Sequence, residues 1–120
     1  MALVGLSPSL PLWAGDQPAD EPTKEERDQW QRRAEELVKQ AKQLSQQGKY
    51  PDATKRWKQI IAIYQKLYPK DQYPNGHADL ATGLNNLALL LATQEDYLGA
   101  QTYYQQSLEM RRSVLQRPLQ

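Results

Sequence analysis

The chain has 120 residues, enough for one compact domain and too few for two ordinary ones. Its 15 Lys and Arg stand against 14 Asp and Glu, a net charge of +1, so the total charge carries neither a nucleic-acid footprint nor a bias toward a membrane surface. The absence of cysteine excludes disulfides, thiolate metal sites and cysteine nucleophiles, and leaves the redox compartment open. Without Phe, and with a hydrophobic fraction of 39%, a thick closed core would be hard to fill, so a thin architecture fits better. Gln, Leu, Ala, Glu, Lys and Arg dominate and alternating β-branched runs are missing, which points to helix.

Residues 1–22 are predicted to be a tail distinct from the domain. Met1 to Ala14 is apolar, and Gly15 to Pro22 is small, acidic and proline-rich. The apolar stretch has the length of a signal-peptide core, with Ala14 before a plausible cut, but Lys24 is the first basic residue and the usual basic n-region is missing. Export and cytoplasmic residence therefore both stay open. A membrane span is not expected, because about 20 uninterrupted apolar residues are needed and Pro8 and Pro11 break a shorter run.

The helical domain is expected over residues 23–117. Thr23 and Glu26 form a capping box that starts the first helix. Trp30, Ala34, Leu37, Val38, Ala41 and Leu44 then recur at intervals of three and four until Gly48 stops it. Pro51 suits a first helical turn, and Ala53, Trp57, Ile60, Ile61, Tyr64 and Tyr68 give a second helix over 51–68, ended by Pro69. Two prolines and an Asn-Gly pair make residues 69–76 a loop. Leu80, Ala81, Leu84, Leu87, Ala88 and Leu91 predict a third helix. Asp96 caps a fourth, carrying Ala100, Tyr104, Leu108 and Leu115. Short connections make neighbouring helices antiparallel.

A shift of 47 positions superposes Leu37 on Leu84, Ala41 on Ala88, Leu44 on Leu91, Tyr50 on Tyr97, Ala53 on Ala100, Trp57 on Tyr104 and Ile61 on Leu108. Self-similarity at one fixed shift marks stacked repeat units, here about residues 23–68 and 77–117. The stretch from Leu84-Asn85-Asn86-Leu87-Ala88 through Asp96-Tyr97 to Ala100 and Tyr104 resembles a tetratricopeptide repeat. With the linker from Leu67 to His77, it looks most like the kinesin-light-chain type of longer-period bacterial arrays. Small Ala41, Ala88, Ala53 and Ala100 sit where that family needs close helix crossings. Gln40 in place of the usual Leu, Glu95 in place of the usual turn Gly, and a longer first helix depart from the pattern. The resemblance implies an all-α fold of antiparallel helix-turn-helix units stacked as a short right-handed α-solenoid.

In that family the first helix of each unit lines a concave surface. Carried across, this nominates Lys39, Lys42 and Gln46 and then Asn86, Leu89 and Thr93, with Asn85 beside them, as partner-binding residues. An Asn amide donates and accepts at once, which suits it to an extended peptide backbone, and a lysine suits a carboxylate. The implied role is capture of another protein or peptide, with no cofactor. Two alternatives accompany it: a structural fragment that self-associates as a homodimer through the uncovered last helix, and an N-terminal regulatory repeat region of a larger effector protein.

Other constellations read as scaffold. Trp57, Tyr64, Tyr68, Tyr103 and Tyr104 resemble a stacking platform, but their helical spacing makes most of them core and no basic stripe accompanies them, so no nucleic-acid partner is expected. His77 beside Asp79 is a helix-start residue rather than a metal ligand, since a site needs three or four convergent ligands. Glu25, Glu26, Glu35 and Glu36 lie among Arg and Lys on a solvated face. Ser45, Ser107 and Ser113 lack a histidine with which to form a nucleophile, so no catalytic residue is nominated.

Overall fold

The computed structural model describes residues 21–116, and the expectations for residues 1–20 and 117–120 lie outside them. Four helices follow in order: α1 Lys24–Gln46, α2 Tyr50–Leu67, α3 Ala78–Thr93 and α4 Tyr97–Leu115. Each packs on its sequence neighbours alone, α1 on α2, α2 on α3 and α3 on α4, which is the contact order of a one-dimensional array. The fold is the expected short all-α array of helix-turn-helix units, and no strand occurs among the described residues.

Local chemistry accounts for the boundaries. Thr23 caps α1 by accepting from the Glu26 N–H at 3.1 Å. The second helix starts one residue before the expected position and ends one earlier: Pro51 sits in the first turn, and Tyr68, whose backbone must suit Pro69, leaves the helical region. His77 begins α3, its Nδ1 accepting from the Asp79 N–H at 3.0 Å. Asp96 caps α4 by accepting from the Gly99 N–H at 3.0 Å. Gly48 ends the α1–α2 turn at φ +75°, and Glu95, its counterpart 47 positions on, takes φ +66° in the α3–α4 turn. The turn geometry repeats even where glycine does not.

One core runs through the array. Leu37 and Ala41 from α1, Ala53, Trp57, Ile60 and Ile61 from α2, and Leu80, Leu84, Leu87 and Leu90 from α3 are buried together. Alanines at Ala34, Ala41, Ala53, Ala81, Ala88 and Ala100 are buried at the crossings, where a larger side chain would hold the helices apart. Two polar bonds tie the layers. The Gln94 amide donates to the Thr54 hydroxyl at 2.8 Å, and the buried Ser107 hydroxyl donates to the Ala81 carbonyl at 2.7 Å. Ser107 thus has a packing role.

The linker is also pinned. The Tyr68 ring stacks on the His77 imidazole, 3.6 Å between centroids and 1° between planes, and Tyr73 meets both edge-on. The Tyr68 hydroxyl donates to the Asp79 carboxylate at 2.8 Å. Gly76, at φ +85°, lies so close to Met110 that a Cβ there would collide with that side chain, which fixes the linker against α4.

Candidate groove between the first helices

Five of the seven nominated residues converge. Lys42 and Gln46 of α1 and Asn86, Leu89 and Thr93 of α3 line one concavity of about 330 Å3, together with Ser45, Trp57 and Leu90. The arrangement follows from the array: α2 packs between α1 and α3, so the two first helices flank it and Trp57 closes the base of the cleft. Lys39 is exposed on α1 and Asn85 half-buried on α3, and neither lines the concavity. Asn85 lies one residue before Asn86, about 100° around the helix, and Lys39 lies about a turn before Lys42.

The groove offers an apolar contact beside unspent polar groups. Leu89 is 57% exposed on its rim, and the Trp57 ring lies buried below. Among the described residues, Lys42 forms no ion pair. Thr93 differs from its neighbours: its hydroxyl donates to the Leu89 carbonyl at 2.9 Å, which leaves its methyl group for contact. An ammonium, two amides, a methyl and a leucine around an indole floor suit a chain with an acceptor group and an apolar side chain a few ångströms apart.

Sequence reasoning missed Ser45, Trp57 and Leu90 as groove residues. Periodicity assigns Trp57 to the core and does not single out Leu90; both are buried, yet both line the cleft. A stripe at helical spacing gives the same signal for both roles.

A second concavity of about 550 Å3 opens between α2, the linker and α4, lined in part by Tyr68, Tyr73, Leu84, Glu109 and Met110. The linker polar groups beside it are already engaged with one another, the Tyr68 hydroxyl by Asp79 and the His77 Nδ1 by the Asp79 N–H. Among the described residues no three of His, Asp and Glu are placed to hold a metal ion, and no helix is long and apolar enough to cross a membrane. The aromatic residues expected to be mostly core are spread through the packing: Trp57 is buried, Tyr64, Tyr68 and Tyr103 are half-buried, and Tyr104 is exposed.

Comparison with known proteins agrees with the geometry. The family described as tetratricopeptide repeat matches residues 32–113, which takes in α2 and α3 entirely and most of α1 and α4. Neither a curated protein nor a solved structure matches the chain. On the match over 32–113 and the paired-helix array, the chain belongs to the tetratricopeptide repeat family.

Proposed function

We propose that the groove between α1 and α3 holds an extended segment of a partner protein. Tetratricopeptide repeats mediate protein–protein interaction in general, and the family is a non-catalytic repeat type. The observation that carries the reading is the convergence of Lys42, Gln46 and Asn86 around the exposed Leu89 and the Trp57 floor. In this mode the Asn86 amide grips the backbone of the segment, Lys42 meets a carboxylate or carbonyl oxygen, and an apolar side chain covers Leu89. The kinesin-light-chain type, of bacterial origin, is the subfamily we assign on the long linker between Leu67 and His77.

Selection from a random displayed-peptide library, followed by calorimetry on the selected peptides, tests the site. Lys42→Glu and Asn86→Ala should each weaken binding about tenfold, near 1.4 kcal/mol, with an unchanged circular dichroism spectrum, because both side chains face the groove. Selected peptides that bind both variants as tightly as the parent chain would place recognition elsewhere.

A further inference from the structure

The two outer faces of the array are chemically opposite. On α1, Arg32, Arg33, Glu36, Lys39 and Gln43 are all exposed, and all are charged or amide residues. On α4, which among the described residues touches no helix but α3, Tyr97, Leu98, Tyr104, Leu108 and Leu115 stand exposed, Leu115 at 84%. Ala100, Tyr103, Ser107 and Met110 face the other way and are buried or half-buried.

Six of the exposed positions share a register, and Leu98 lies outside it. Tyr97, Gln101, Tyr104, Leu108, Arg111 and Leu115 follow alternating steps of four and three, the seam of a helix that packs on another helix. They are also arranged symmetrically: 97 and 115, 101 and 111, and 104 and 108 are each equidistant from position 106. A helix with such a seam meets a second copy of itself, run antiparallel, with every seam residue opposite its mirror. Tyr97 then faces Leu115, Tyr104 faces Leu108, and Gln101 faces Arg111. Gln101 and Arg111 are exposed and so are free to meet across that seam.

We propose that α4 is a self-pairing interface: two copies of this chain join through their α4 helices, antiparallel, about a two-fold axis at the level of residue 106. Charge selects this arrangement over its rivals. A parallel pair would set Arg111 against its own copy, whereas the antiparallel pair sets the guanidinium against the Gln101 amide oxygen. A head-to-tail stack would lay the apolar seam on the outer face of α1, where the described residues are charged or amide. Association therefore closes at the dimer and does not run on as a filament. The seam spans about 27 Å of helix, at roughly 1.5 Å per residue. This interface is separate from the α1/α3 groove and stands or falls independently of it.

Sedimentation of the full 120-residue chain over roughly 1 μM to 1 mM should show a monomer–dimer equilibrium with no higher species. Leu108→Glu should abolish the dimer, since it sets a carboxylate on the central Tyr104 layer. Position 101 tests the register. Gln101→Arg faces Arg111 of the second copy and should weaken the dimer about fivefold, and Gln101→Glu should strengthen it by a similar factor, because each contact occurs twice. Circular dichroism should be unchanged in all three variants. A monomer throughout the range overturns the proposal, whether the seam is bare or covered by residues 1–20 of its own chain. A dimer that survives Leu108→Glu, or two position-101 variants that shift the equilibrium in the same direction, overturns it equally.

Discussion

Trp57 and Tyr104 occupy equivalent positions 47 residues apart, yet Trp57 is 6% exposed and Tyr104 51% exposed. The difference lies outside both residues: α3 packs over α2 and covers Trp57, whereas of the other helices α4 touches α3 alone. In an array whose units bury their faces only on neighbours, position along the stack decides the burial of a repeated residue. The same relationship makes Trp57 the floor of a groove and leaves Tyr104 on an open seam.

Stability should hinge on the small residues at the helix crossings. Ala41→Leu and Ala88→Leu insert three carbons into fully packed positions and should each cost about 1–3 kcal/mol. For a chain of this size that lowers the melting temperature by roughly 4–8 °C per kcal/mol. Thermal melts followed by circular dichroism check it, and unchanged melts in both variants would refute the proposed crossings.

Glu95 holds a left-handed backbone, φ +66°, that its repeat counterpart Gly48 takes at φ +75° without a Cβ. Glu95→Gly should therefore stabilise the chain by about 0.5–1 kcal/mol, the relief of the left-handed strain less the added freedom of the unfolded chain. The converse, Gly48→Ala, should cost about 1 kcal/mol even though a Cβ there meets nothing within 4 Å. Denaturant midpoints for the two variants should move in opposite directions.

Tyr68 should make the fold sensitive to alkali. Burial, and after it the hydrogen bond its hydroxyl donates to Asp79, hold the phenol well above the ordinary tyrosine value of 10.0. Burial raises Tyr64 as well, with Asp79 and Glu35 adding to it. The folded chain thus keeps these protons at a pH where the unfolded chain releases them. Their contribution is intact below about pH 10 and declines as pH rises above it toward the folded values. Tyr68→Phe should melt lower at neutral pH, through loss of the bond to Asp79, and lose less stability between about pH 9 and 11. Melting curves of both proteins across that range provide the measurement. An equal alkaline loss in the two would show that Tyr68 does not contribute.

Much of this molecule is local and so was legible in the sequence. Capping by Thr23 and Asp96 and the stops at Gly48 and Pro69 each depend on residues within a turn or two of one another, and they marked where helices begin and end, while the 47-residue repeat of Ala41 on Ala88 and Ala53 on Ala100 is a pattern that needs no tertiary contact to be seen. The two-unit family pattern was equally plain, and it nominated a groove of which Lys42, Gln46, Asn86, Leu89 and Thr93 form part. Three-dimensional packing decided the rest, because a helix turns about 100° per residue and a cleft is wider than one stripe. It left Asn85 and Lys39 outside the cleft and brought in Ser45, Trp57 and Leu90. It turned Ser107 from an idle hydroxyl into the bond that joins α4 to the Ala81 carbonyl, 26 residues away in sequence. Periodicity reports which face of a helix is apolar; which neighbour covers that face is settled only when the helices stack.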